Sequence, residues 1–445
     1  MGKNNNYWVN SGLFAVSQRI SIPLFGIGTF LIIVRALPKE EMGIWVLFVT
    51  IASIIEITRN GLIKAALVKY YTEASKSERH LIASAALLIN TIYTVLVQCI
   101  LVAIGGQLVF FFEAPGLDKM LWVYSINALL FVPFSHFEYV QQANLQFKGI
   151  FFSYFVRQGW FFVCILTLIL ILGWSVSLQD LVYLQASGLF FGAIVSYRFA
   201  RKNLIGSVRF SKYWFSKLMS FGKFGLYTNL SNSALTTSDH VLIGGLLSTA
   251  SVAIHNVSSR ITNVFVIPSI AIADILYPKA VKANQNKGTA EVKMLYQNAV
   301  AATIVPMIPV VIFVELFPEI IIELLAGSEY LSAVNILRVA IIGILFLPFL
   351  KQFGTVMNTI NRPDLNFYFV FCLAGLNVVL NYFCIVHFGI IGGAIGTLSS
   401  YVIGCFASQV ILHRLVSVSS LSILSQTVIY YRQIFQWIKK KTFRK

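Results

Sequence analysis

Charged side chains are scarce in this chain, and acids are scarcer than bases. Only 11% of the 445 residues are charged, and 17 acids face 34 lysines and arginines. A soluble core of this size needs far more charge to cover its surface. With 57% hydrophobic residues and a mean hydropathy of +0.78, the composition excludes an ordinary soluble domain.

The sequence also lacks the short motifs of catalysis, nucleotide binding and disulfide frameworks. Because no HExxH, GxSxG or Walker A sequence occurs, we expect neither an enzyme nor an ATP-driven pump, and no resident cofactor. The five cysteines all fall in apolar stretches and form no CxxC pair, which is typical of packing residues. The net charge of +17 lies in loops that would face anionic lipid, so nucleic acid is not an expected partner.

Long apolar stretches dominate what is present. Each is roughly 20 residues, enough for a helix to cross about 30 Å of hydrocarbon. Helices are expected because lipid cannot satisfy an open backbone. We predict an all-α polytopic membrane protein with about 12 transmembrane helices, at residues 11–34, 42–63, 81–104, 119–140, 150–173, 179–199, 221–247, 250–277, 296–317, 331–356, 365–386 and 389–412.

Basic residues gather in every second connection between these stretches. They follow the second, sixth, eighth and tenth predicted spans and end the chain, whereas the intervening connections are short or acidic. By the positive-inside rule, the basic side and both termini are predicted to be cytoplasmic. Residues 413–445 carry apolar and basic groups that suit an amphipathic helix on the cytoplasmic leaflet, with a disordered tail as the alternative.

The two halves of the chain resemble each other. Three pairs of segments recur in the same order at offsets of 210, 215 and 212 residues, which favours a duplication of six spans. Both copies then keep one orientation, so two six-helix lobes would enclose a central cavity open to alternating access. The predicted domains are a first lobe at 1–199, a basic linker at 200–220, a second lobe at 221–412 and the tail. The segment pairs are 37–45 with 247–255, 132–134 with 347–349, and 183–192 with 395–404.

Ionisable residues at membrane depth are costly and are therefore functional candidates. We single out Arg19, Arg59 and Arg260, because they lie in the first two spans of each half, which would line the cavity. Guanidinium groups there would grip a phosphate or pyrophosphate bidentately. Each could instead pair with an acid or extend to the membrane interface.

Four further ionisable residues complete the predicted site. Arg157 and Arg338 are weaker candidates for substrate binding. Glu56 and Asp239 are candidates for charge pairing with these arginines, or for binding a coupling H+ or Na+. No other metal is expected.

Several segments resemble the polysaccharide (O-antigen or capsule) flippases of the multidrug/oligosaccharidyl-lipid/polysaccharide exporter superfamily. They are IIVRALPKEEMGIWVLFVTIASIIEITRNGL (32–62), SDHVLIGGLLSTASVAIHNVSSRI (238–261), LYPKAVKANQNKG (276–288) and FGIIGGAIGTLSS (388–400).

The resemblance implies two six-helix lobes, a cationic cavity and export of undecaprenyl-pyrophosphate-linked oligosaccharide across a bacterial cytoplasmic membrane. Membrane lipids are then expected partners, and polysaccharide polymerase and chain-length proteins are candidate ones.

Two other functions stay open at this stage. One is a cation-coupled multidrug exporter of the same fold, although residues 11–34 lack the acid that such exporters typically carry in the first span. The other is a membrane scaffold for a polysaccharide assembly complex, for which the basic tail would serve docking.

Overall fold

Helices are the only regular elements in the part of the chain that the structure describes. This computed structural model describes Ser17, residues 21–204 and residues 209–442. The helices are α1 Ser21–Ala36, α2 Lys39–Glu73, α3 Lys76–Phe112, α4 Leu117–Ala143, α5 Phe147–Ile165, α6 Leu178–Ala200, α7 Lys212–Leu246, α8 Thr249–Val264, α9 Ile267–Lys287, α10 Thr289–Leu316, α11 Pro318–Ala326, α12 Val334–Gly343, α13 Leu347–Thr359, α14 Pro363–Phe388, α15 Ile390–Val416 and α16 Ser420–Thr442. A π-helical turn, Leu166–Ile171, extends α5. The predicted all-α class is confirmed.

Nine helical segments among the described residues are long and apolar enough to cross a membrane. They are α2, α3, α4, α5 with its π-helical turn, α6, α10, the run Ser328–Thr359, α14 and α15. The other three predicted spans correspond to α1, α7 and the α8–α9 pair. The described part of α1 is apolar but short, at Ser21–Ala36.

Polar residues explain why α7 and α8 are less apolar than the other spans. The middle of α7 reads TNLSNSALTTSDH, and α8 carries NVSSRITN in its second half. Serine and threonine hydroxyls on these helices donate back to carbonyls one turn earlier, as Ser231 does to Tyr227 and Thr262 to Ser258. Such bonds let polar residues stay inside a helix at membrane depth.

Prolines divide two of the predicted spans into separate helices. Pro268 lies in the first turn of α9, and Pro348 in the first turn of α13. At that position proline has no hydrogen bond to lose, whereas inside a helix it removes one. Pro133, Pro306 and Pro309 instead lie within α4 and α10, which continue through them.

By their contacts, the described residues group into two compact units. The first lies within Met1–Ser233 and Ser248–Ala253, and the second within Ala234–Leu247 and Ile254–Lys445. The predicted second lobe began at residue 221, but the first two thirds of α7 pack in the first unit. Apolar residues on that stretch, Trp214 and Leu218, are buried against α2 and α3, which is why the boundary falls inside a helix.

Glycine sets the distance between α2 and α7 in the first unit. Gly61 of α2 faces Gly225 of α7, and a Cβ on Gly225 would overlap the carbonyl oxygen of Gly61. Small residues of this kind let membrane helices approach closely. Asn229 of α7 adds a hydrogen bond between the two helices, because its amide donates to the carbonyl of Ile57 on α2 at 2.8 Å.

The C-terminal helix α16 packs within the second unit. Ile423 belongs to the same buried cluster as Val292, Tyr296 and Phe353, and the Tyr431 hydroxyl donates to the Val305 carbonyl at 2.6 Å. The predicted amphipathic helix is thus present, and one side of it covers α10.

We expect Gly225→Ala to destabilise the first unit by roughly 1–3 kcal/mol, because the added methyl overpacks a helix contact. The readout is the midpoint of thermal unfolding of the purified protein. Gly106→Ala is the matched control, since a Cβ there has no atom within 4 Å and both changes gain the same helix propensity. Equal midpoints for the two variants would contradict the close contact.

Candidate functional site

Three helices of the first unit bring a stripe of polar residues together. On α2, Glu56, Asn60 and Lys64 are four residues apart, so they lie on one face. Glu138 on α4 and Arg157 on α5 contact this face.

The ion pair between Glu56 and Arg157 is the partly open end of this stripe. The Arg157 Nη2 to Glu56 Oε1 distance is 3.0 Å, with 18% and 28% of the two side chains exposed. The guanidinium also lies 4.9 Å from the centre of the Phe131 ring and 5.4 Å from that of Phe134. Because the pair is partly exposed, an anion could reach Arg157 without unfolding the unit.

Arg59 lies against the same phenylalanine but is completely buried. Its guanidinium is 4.7 Å from the centre of the Phe131 ring and 5.9 Å from that of Tyr93. Among the described residues, no hydrogen-bond partner reaches its three side-chain nitrogens. A cation–π contact offsets part of the cost of burying this charge. Phe131 is therefore in contact with two guanidinium groups, those of Arg59 and Arg157.

A second ion pair closes the other end of the stripe. Lys64 Nζ donates to Glu138 Oε1 at 2.9 Å, and the Tyr154 hydroxyl donates to the other oxygen at 2.9 Å. Glu138 is almost fully buried, whereas the Lys64 side chain is 34% exposed. Next to it, the Tyr139 hydroxyl donates to the side chain of Asn60. These contacts fix the orientation of α2 against α4 and α5.

In the second unit, Asp239 of α7 lies beside two histidines. His255 Nε2 is 3.8 Å from Asp239 Oδ2, and the rings of His240 and His255 are 5.5 Å apart. One donor atom from each of the three side chains lies within 4.8 Å of the others, a spacing that a bound cation could bridge. Both histidines are buried, and 13% of the Asp239 side chain is exposed.

Neutral amides and hydroxyls surround the same end of the second unit. Ser238, next to Asp239, donates to Asn377 of α14 at 2.8 Å and accepts from Asn381 at 3.3 Å. Thr397 of α15 donates to Asn381 at 3.3 Å. Each of the two asparagines is fully buried, so this network links α7, α14 and α15 in place of apolar packing.

The structure brings together only some of the predicted site residues. Arg59, Arg157 and Glu56 meet at Phe131, whereas Asp239 lies in the other unit. Arg260 and Arg338 are exposed on α8 and α12. Arg19 lies outside the described residues. The ion-pair partner of Glu56 is Arg157 and not one of the three arginines singled out first, and the imidazole of His255 lies beside Asp239.

The sequence analysis did not predict the pairing of Lys64 with Glu138 or of Arg157 with Glu56 in one polar stripe. The predicted second span ends at residue 63 and leaves Lys64 in the connection that follows. In the structure, α2 continues to Glu73, so Lys64 lies within the helix. The four-residue spacing of Glu56, Asn60 and Lys64 is the signal that would have found the stripe. The same spacing in Asn377 and Asn381, inside an apolar helix, marks the polar network of the second unit.

Residues 32–335, more than half of the chain, match the family model described as "polysaccharide biosynthesis protein". The chain belongs to this family. The family predicted from the sequence is therefore confirmed.

Two curated relatives come from Haloferax volcanii. One is a probable low-salt glycan biosynthesis flippase, Agl15, 22% identical over 44% of this chain and 40% of that one. The other is a probable flippase, AglR, 24% identical over 50% of each chain. The alignments thus span half of the relatives' length or less.

Solved structures show the same fold. The chain is similar to the lipid II flippase MurJ in an inward closed conformation, with a TM-score of 0.78 over 95% of this chain and 91% of that one, at 14% identity. It is also similar to a multidrug resistance MATE family transporter of the MOP superfamily, with a TM-score of 0.72 over 91% and 99% at 16% identity. These likenesses establish a MurJ- and MATE-like fold for a multi-pass membrane protein.

We expect Arg157→Gln to lower the free energy of unfolding more than Glu56→Gln/Arg157→Gln does. The single variant leaves the Glu56 carboxylate without its partner, whereas the double variant removes both charges. The difference should be about 1–2 kcal/mol, because the pair is partly solvated. Thermal unfolding of the two purified variants measures it, with the exposed Arg338→Gln as control. A double variant as unstable as the single one would contradict a cost of leaving the Glu56 carboxylate unpaired.

Proposed function

We propose that the protein is a flippase that moves undecaprenyl-pyrophosphate-linked oligosaccharide repeat units across a bacterial cytoplasmic membrane for surface polysaccharide synthesis. The family match and the MurJ-like fold support a transporter of this type. The observation on which the proposal depends is the pair of guanidinium groups at Phe131, Arg59 and Arg157: among the described residues only one of them has a carboxylate partner, and the excess positive charge suits an anion. The two-unit architecture supports transport by alternating access.

Arg157 is the guanidinium that takes the pyrophosphate in this mechanism. It already holds a carboxylate through Nη2, so an arriving phosphate oxygen exchanges for Glu56 at that nitrogen. A guanidinium presents a planar fork that suits either anion bidentately. Phe131 keeps the guanidinium in place during the exchange.

The remaining predicted arginines have separate roles in this proposal. Arg59 is too buried for direct contact in this conformation, so it raises the positive potential near Arg157 and would contact substrate only after α4 moves. Arg260 and Arg338, which are exposed on α8 and α12, keep their predicted role in substrate binding. Arg19 keeps its predicted role.

A leaflet assay in reconstituted vesicles tests the function and the arginine separately. Wild-type protein should expose lipid-linked oligosaccharide to a membrane-impermeant glycan reagent, and protein-free vesicles should not. Glu56→Gln/Arg157→Gln should slow this movement at least about tenfold, the loss expected for one charge-assisted contact of about 1.5–3 kcal/mol.

Lys64→Gln/Glu138→Gln is the matched control, because it neutralises the neighbouring ion pair and leaves Arg157 intact. If the control slows movement equally, Arg157 has no specific role. If wild-type protein moves no lipid, the flippase proposal fails, and the multidrug exporter or the assembly scaffold takes its place.

We further propose that Asp239 binds the coupling cation, H+ or Na+, because His240 and His255 surround the carboxylate with groups that can hold or release a cation. Asp239→Asn should abolish the dependence of flipping on an imposed Na+ or pH gradient and keep gradient-independent exchange. His413→Gln, whose ring bonds only to Val418 among the described residues, is the control. A gradient dependence that persists in Asp239→Asn would exclude this carboxylate.

A further inference from the structure

A basic groove lies on the first unit, away from the polar stripe just described. It has a volume of about 730 Å³ and is formed by Tyr70 of α2 and one face of α7 between Lys212 and Phe224. The opposite face of α7 is buried, with Trp214 and Leu218 in the apolar core. The groove is therefore a fixed surface between two packed helices.

Aromatic rings hold the ammonium groups of this groove in position. Lys217 Nζ lies 4.9 Å from the centre of the Tyr70 ring, 4.7 Å from that of Trp214 and 5.2 Å from that of Tyr213. It also donates to the Tyr213 hydroxyl at 3.1 Å. Exposed lysines normally sample many rotamers, so this packing lowers the entropy lost when an anion binds.

A second ammonium group extends the positive charge along the groove. Lys69 Nζ lies 4.8 Å from the centre of the Phe221 ring, which lines the groove, and Lys212 lies at its end. From residue 200 to residue 238 the sequence contains no acid. A carboxylate, Glu73, lies one turn beyond Lys69 on α2, and its charge acts on Lys217. The three lysines outnumber this carboxylate, so the net charge of the groove is positive.

The lining combines groups that suit a lipid phosphate. Hydroxyls of Ser216 and Ser220 accompany the lysines, and Phe221 and Phe224 are 37% and 65% exposed beside them. Lysines between membrane helices bind anionic headgroups, and aromatic side chains lie at the level of those headgroups.

We propose that this groove binds the phosphate headgroup of an anionic phospholipid, with Lys69, Lys212 and Lys217 as its cationic contacts. Lysine is a mobile point charge and suits a phosphodiester, whereas the bidentate guanidinium groups that suit a pyrophosphate lie elsewhere in the unit. A lipid bound there bridges α2 and the start of α7. This binding does not require any particular transported substrate.

Native mass spectrometry of the full chain in detergent tests the proposal with phosphatidylglycerol and phosphatidylethanolamine as probes. We expect one phosphatidylglycerol to bind more tightly than phosphatidylethanolamine. Lys217→Gln should weaken it about fivefold, and Lys69→Gln/Lys212→Gln/Lys217→Gln by up to roughly a hundredfold, since each lysine near a membrane surface contributes about 1 kcal/mol.

Lys279→Gln/Lys282→Gln/Lys293→Gln removes the same charge from the second unit and should leave phosphatidylglycerol binding unchanged. An equal loss in both triple variants, or equal binding of the two phospholipids, would overturn the proposal. So would a groove variant that keeps phosphatidylglycerol but loses undecaprenyl pyrophosphate, because the occupant would then be the transported lipid. The single variant provides the same comparison if the triple variant does not fold.

Discussion

The contact of two guanidinium groups with Phe131 is the interaction on which the first unit depends. Arg59 and Arg157 both lie within 5 Å of the centre of this ring, and within the described part of the chain only Arg157 has a carboxylate partner. Burying two like charges together is unfavourable, so the surrounding helices must supply anionic and aromatic groups. Glu56 supplies the carboxylate and the Tyr154 ring lies 6.0 Å from the Arg157 guanidinium, and these contacts help to fix how α2 and α5 pack.

The two units stabilise their buried polar side chains with different interactions. The first uses ion pairs, Glu56 with Arg157 and Lys64 with Glu138. The second uses amides and hydroxyls around Asn377 and Asn381, with one acid, Asp239, beside two histidines. In the proposed mechanism, the first unit attracts the anionic lipid and Asp239 of the second unit binds the coupling cation.

The resemblance of four segments predicted the family. Apolar length allowed the fold class and most helix positions to be predicted from the sequence. These features follow from bilayer thickness and hold whatever the tertiary contacts are. Pairing could not be predicted in the same way. Glu56 has arginines at three and 101 residues' distance, and only the packing of α5 against α2 selects Arg157. The packing of α7 into the first unit likewise depends on tertiary contacts.

The most direct test of the account is the affinity of the purified protein for undecaprenyl pyrophosphate, compared between wild type and Glu56→Gln. If the pyrophosphate exchanges for the Glu56 carboxylate at Arg157, removing that competing charge should tighten binding severalfold. Arg157→Gln should weaken it. Unchanged or weaker binding in Glu56→Gln would contradict the exchange, and with it the role assigned to the ion pair.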